Sequence, residues 1–227
     1  MVRDEQIYGT ALIVGTLAFL STGALHPNGS QLLASAESFS QHGPINVLAH
    51  SLALIGLWLT AFGVVGLARR VGAQRPDVTA GLVAYAIVVV LISFAGVVDG
   101  IVSTRLAGAY VASDVEQDRV VLAGFMQYST NLASSISRVY VTGTAIAMLL
   151  WSWAIWGTGF DRRLPWVGVA IAAIGLGAQA LGHLRMNVGD VILLAFGQGV
   201  WFVWAGVVLY RAPSITMSAG DSAITRR

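Results

Sequence analysis

Three histidines and one aspartate stand near the ends of apolar runs, in a pattern that would gather them at one level of a membrane. His26 ends the first run, His50 begins the second, Asp99 lies near the end of the third, and His183 ends the fifth. His42, the remaining histidine, falls in the loop between the first two runs. Ionisable side chains are costly in a bilayer, so several at one depth mark a candidate site. Three imidazoles and a carboxylate form a ligand set suited to zinc, copper or iron. With water completing the shell, zinc would generate a hydroxide or polarise a carbonyl. Asp99 would then be a fourth ligand or the general base, and Tyr140 or Arg138 would stabilise developing negative charge. Haem is the alternative cofactor, clamped by His50 with His183 or by His26 with His50. No HxxxH or HExxH pair places two ligands on one helix, so the constellation rests on topology.

Helix rise turns spacing into depth, at about 1.5 Å per residue. His26 lies 18 residues after Tyr8, Asp99 lies 20 after Thr79, and His183 lies 18 after Pro165. Arg138 lies 18 before Trp156, and His50 is about five residues into a span running the opposite way. All five fall at about 27–30 Å from one side, near the far interface. Each also has a plainer reading. His26 precedes Pro27 at a helix end, where a dipole favours a cation. His183 could pair with Asp190, and Asp99 could neutralise Arg105 or Arg138.

The elements that would position these residues are membrane spans. Hydrophobic residues make up 56% of the 227-residue chain and charged ones 11%, and the mean hydropathy is +0.74. Runs of about 20 apolar residues suffice to cross the hydrocarbon. The expected architecture is all-α, a bundle of six spans at Tyr8–Leu25, Ile45–Ala68, Thr79–Thr104, Ser134–Trp156, Pro165–Leu184 and Val188–Tyr210. Residues 1–211 form one transmembrane domain, and 212–227 a small, polar, disordered tail. The first run resembles a secretion signal, with Thr22-Gly23-Ala24 as a cleavage site, but Asp4, Glu5 and its length favour a retained span.

Every basic residue is arginine, and the cytoplasmic excess of short-loop arginines sets orientation. With the N-terminus inside, nine arginines fall on the cytoplasmic side against four outside, so both termini are expected in the cytoplasm. Trp151, Trp153, Trp156 and Trp166 then mark the inner boundary. The net charge of +2 reflects anchoring rather than a nucleic-acid surface, because no basic patch interleaves with exposed aromatics. The absence of cysteine excludes disulfides, thiolate nucleophiles and iron–sulfur clusters. No glycine pattern suits a nucleotide, and no internal repeat supports an inverted-repeat transporter.

Between spans, the loop from Pro27 to Pro44 spaces Leu32, Leu33, Ala36 and Phe39 for one face of a short surface helix, a connector or a lid. Ser113 and Glu116 fit a capping box, and no proline interrupts the chain from Asp114 to Trp156. An extramembrane helix should therefore lead into span four. Its polar residues, from Gln127 to Tyr140, should face the bundle interior or outer water. Gly175, Gly177, Ala178 and Gly182 would let span five approach its neighbours closely.

The chain resembles a group of uncharacterised multi-pass bacterial membrane proteins through Leu25-His26-Pro27, His50 with Gly56, and Val98-Asp99-Gly100. That resemblance implies six helices and no particular activity. The leading expectation is a bacterial inner-membrane protein with an outward-facing His/Asp site, a metal-dependent enzyme for a lipid or small apolar molecule. Competing with it are a haem-binding redox protein and a non-catalytic subunit of a larger membrane complex. The subunit reading makes Asp114–Asn131 the surface for a membrane-protein partner.

Overall fold

A computed structural model describes residues 4–25, 36–183 and 188–212. Within them the chain is all-helical, and six helices are long and apolar enough to cross a membrane. Helix α1 (Asp4–Leu25) is followed by a short α2 (Ala36–Gln41) and the long α3 (Gly43–Val71). Helix α4 (Pro76–Val97) passes through a π-helical turn (Val98–Val102) directly into α5 (Ser103–Ala112). Helices α6 (Glu116–Trp156), α7 (Arg163–Ala180) and α8 (Val188–Arg211) complete the bundle. His26 and the residues from 213 onward lie outside the described residues, as do Leu32 and Leu33 of the expected surface helix.

Helix α1 packs between α3 and α8, while α4 and α6 form a second close pair that α7 joins from the α6 side. Polar contacts gather several helix ends at one end of the bundle. Arg69 donates to the Tyr8 hydroxyl at 2.8 Å, and Arg70 lies 3.9 Å from Glu5. Arg75 grips Asp77 with two donors, at 3.2 and 2.7 Å, and reaches the Ala154 carbonyl at 2.9 Å. The α3–α4 turn depends on Gly72, whose φ of 120° is a conformation that other side chains rarely adopt.

Three of the four tryptophans expected at this boundary stand there exposed: Trp156 packs edge-on against Trp153 and Trp166. Trp151 does not join them. It is 1% exposed, stacks on Trp201 with centroids 6.2 Å apart, and donates to the Val78 carbonyl at 3.4 Å. Its two neighbouring tryptophans on α6 point elsewhere because a helix turns about 100° per residue.

The glycines expected to bring span five against its neighbours do not do so, and Gly168, earlier in the same helix, does: a Cβ there would run into Ser152 and Trp201. No neighbour lies within 4 Å of a Cβ built on Gly177 or Gly182, and one on Gly175 makes only ordinary contact. Backbones approach closely where α1 meets α8, at Gly9 and Gly206, and where α1 meets α3. A Cβ on Gly56 would sit 2.7 Å from the Gly15 carbonyl oxygen, and one on Gly63 would sit 2.7 Å from Leu12 Cα. Gly56 and Gly63 are two turns apart on one face of α3, so that backbone lies directly against α1.

At the opposite end, α4 with α5 forms a 37-residue apolar stretch and α6 has 41 residues. At 1.5 Å per residue the second is about 60 Å long, twice the hydrocarbon thickness, so the α5–α6 hairpin projects beyond the other helices. The expected outer helix and span four are thus one continuous rod. The expected capping box does not form: Glu116 is the first helical residue, and the Ser113 hydroxyl accepts from Val115 N at 3.2 Å. Arg119 closes the corner instead, donating to Ser113 O at 2.8 Å while its guanidinium covers the Tyr110 ring.

Candidate functional site

The site at the far end begins with a helix start. Pro44 occupies the first turn of α3, where a missing N–H costs nothing. The His42 ring nitrogen Nδ1 donates to Ser38 O at 2.8 Å across the α2–α3 junction. Asn46 and His50 follow one turn apart, hence on one face. That face meets the π-helical turn of the α4–α5 rod.

A π-turn inserts one residue into the helical ladder and displaces carbonyls from their usual partners. Here Asn46 supplies replacements. Its Nδ2 lies 3.2 Å from Asp99 O, 3.4 Å from Gly100 O and 3.2 Å from Thr104 Oγ1. Thr104 Oγ1 donates in turn to Gly100 O at 2.7 Å, and Ser103 Oγ donates to Val98 O at 3.0 Å. Asn46 is 1% exposed, and among the described residues its Oδ1 has no hydrogen-bond partner. Gly100 completes the fit, because a Cβ there would run into the His50 ring.

This turn aims Asp99 at His50. Asp99 Oδ2 lies 3.3 Å from His50 Nε2, with the imidazole side chain 12% and the carboxyl 31% exposed. The other ring nitrogen, Nδ1, lies 2.9 Å from the Asn46 carbonyl. A carbonyl only accepts, so Nδ1 carries a hydrogen. A neutral imidazole would then present a bare Nε2 lone pair to a carboxylate oxygen. Two acceptors in contact repel, so the arrangement calls for a proton or a cation between them. With a proton, the pair can donate to and recover from a reacting atom as general acid and base. A divalent cation also fits the spacing, since metal–ligand bonds of about 2.0–2.2 Å at a tetrahedral angle set N and O about 3.3–3.5 Å apart.

The remaining expected site residues stand apart from this pair in kind. His183 is exposed at the end of α7, where Gly182, at φ 71°, reverses the helix and His183 N caps the Ala178 carbonyl at 3.0 Å. Any residue other than proline could fill that backbone role. Arg138 is exposed on α6, whereas Tyr140 is buried against Phe19, with ring centroids 6.1 Å apart. Among the described residues no three His, Cys, Asp or Glu side chains come together as a metal-binding group. Most of the polar residues on α6 face outward, and Thr130, Ser135 and Ser137 bond their own helix one turn back.

Sequence reasoning passed over Asn46. The available signal was a carboxamide four residues before His50 at the start of an apolar span, which places both side chains on one stripe. It also passed over a set of small polar residues deeper in the bundle. Thr16, Thr60, Thr144 and Gln198 are all buried, each from the middle of its own apolar run. No protein-family model, curated protein or solved structure matches this chain.

Proposed function

We propose that this chain is a polytopic bacterial inner-membrane protein that carries out proton-transfer chemistry at the His50–Asp99 pair. The pair serves a lipid or other small apolar molecule, and a divalent metal ion is the alternative occupant of the same two atoms. One observation carries the reading: His50 Nε2 faces Asp99 Oδ2 at 3.3 Å while Nδ1 is committed to a carbonyl. The Asp99 side chain is 31% exposed on a rod whose exposed residues in this stretch, Phe94, Val97 and Val102, are apolar. A substrate can therefore reach the carboxyl from the hydrocarbon side of the interface. The arginine-rich end, with Arg69, Arg70 and Arg75, is assigned to the cytoplasm together with both termini, which sets the pair toward the outer leaflet.

Mass analysis of tag-free protein purified in mild detergent tests this assignment, alongside elemental metal content. The wild-type protein is expected to retain a small molecule or a metal ion that His50→Gln and Asp99→Asn lose. Identical bound content in all three proteins contradicts it.

A second reading has its own observation. Val120, Phe125 and Tyr128 are exposed on the projecting part of α6, beyond the length a bilayer covers. Apolar side chains in that position suit contact with another membrane protein's outer face. Stoichiometric copurification that Phe125→Ser abolishes would favour a subunit role.

A further inference from the structure

A second polar level lies deeper in the bundle, independent of the His50–Asp99 pair. Counted from the arginine-rich ends, Thr16 is 12 residues along α1, Thr60 is 11 along α3 and Tyr85 is 9 along α4. Tyr140 and Thr144 are 16 and 12 residues from the end of α6, and Gln198 is 13 from the end of α8. These counts correspond to about 14–24 Å, so helices from both halves of the bundle contribute hydroxyl or carboxamide groups near mid-membrane.

A small void of about 10 Å³ lies among them, with Thr16, Thr60, Tyr85 and Tyr140 in its wall. Phe19 and Phe202 wall the same space and hold the tyrosine rings, Tyr140 against Phe19 and Tyr85 against Phe202 at 5.5 Å. That volume is about one water molecule's share of accessible space, and cavities that stay empty are apolar ones. Here the wall is largely apolar, but four of its nine residues carry a hydroxyl. Their internal bonding is thin: Thr60 Oγ1 donates to Gly56 O at 2.8 Å, and its contact with Thr16 Oγ1 is a long 3.4 Å. Unmet capacity continues around the level, since Thr144 Oγ1 and Gln198 Oε1 are buried without a partner among the described residues. Hydrocarbon offers nothing to such groups, so a resident polar molecule is strongly favoured.

We propose that this void is a binding site for one ordered water molecule, held between the Thr16–Thr60 pair and the tyrosine hydroxyls of Tyr85 and Tyr140. The water joins α1 and α3 to α4 and α6 by hydrogen bonds at mid-depth. Its loss is therefore felt as a loosened contact between those halves.

An experimental structure of the full chain, at a resolution that shows ordered solvent, decides the matter, with Thr60→Val and Tyr140→Phe solved beside it. The expected result is one density peak within hydrogen-bond reach of Thr60 Oγ1 and a tyrosine hydroxyl. It should disappear or shift in Thr60→Val, with a lowered thermal midpoint. An empty void in the wild-type protein overturns the proposal, as does a peak unmoved by both substitutions. Tyr140→Phe keeps the reading testable if Thr60→Val fails to fold, because it removes one hydroxyl while preserving the ring.

Discussion

Gly56→Leu is expected to prevent the bundle from assembling. A Cβ at this position would lie 2.5 Å from Phe19 N and 2.7 Å from the Gly15 carbonyl oxygen, and both are backbone atoms. No rotamer change can relieve such contacts, so α1 and α3 must separate. Separation would break the Thr16–Thr60 contact and open the packing of Gly63 against Leu12 as well. Overpacking in a well-filled core costs about 1–3 kcal/mol, and a backbone clash belongs at or above the top of that range. Thermal unfolding in detergent, followed by near-ultraviolet circular dichroism, would read the loss. Gly177→Ala is the control, because nothing lies within 4 Å of the new methyl group. It should be neutral or stabilising by about 0.5–1 kcal/mol, the usual gain of alanine over glycine in a helix. Similar midpoints for the two variants would show that the α1–α3 seam is not a backbone contact.

The second large effect is expected at Asn46→Asp. Asparagine donates from Nδ2 toward Asp99 O, Gly100 O and Thr104 Oγ1. A carboxylate of the same shape has no donor and would press acceptors on acceptors at a residue only 1% exposed. Each unsatisfied buried group costs about 1–3 kcal/mol, and an unpaired buried charge costs more. The substitution should therefore lower stability by about 3 kcal/mol or more, and free Asp99 from its alignment with His50. Asn46→Ala removes the donor without adding charge and should cost about 1–3 kcal/mol. A midpoint for Asn46→Asp equal to that of Asn46→Ala would contradict this account of the π-turn.

The spans were legible because apolar length is a direct demand of the bilayer, and each expected run falls on one helical stretch, the third running through α4 and the π-turn into α5. Ends moved where polarity alone does not stop a helix. The third span continues past Thr104 to Ala112, since nothing between them breaks the backbone. The π-turn was invisible because adding one residue to a ladder leaves hydropathy unchanged. Helix rotation was the larger gap, because runs apolar on every side carry little periodicity to orient them. Trp151 shows the consequence, turned into the core while Trp153 and Trp156 face outward. His50 and Asp99, expected at one level, do meet, whereas depth says nothing of which way His183 faces beyond the glycine reversal that ends α7. Asn46 became meaningful only once the displaced carbonyls of the turn were visible.

The proposed chemistry requires a shared proton or a cation between His50 Nε2 and Asp99 Oδ2. Nitrogen-15 NMR of histidine-labelled protein tests it directly, comparing the wild type with Asp99→Asn. An asparagine in that place can donate its own N–H to a neutral Nε2, so the geometry survives without the extra proton. The expected result is a protonated, strongly hydrogen-bonded or metal-bound Nε2 in the wild type, becoming a neutral acceptor nitrogen in Asp99→Asn. A wild-type Nε2 already bare, with the same shift in both proteins, would contradict it.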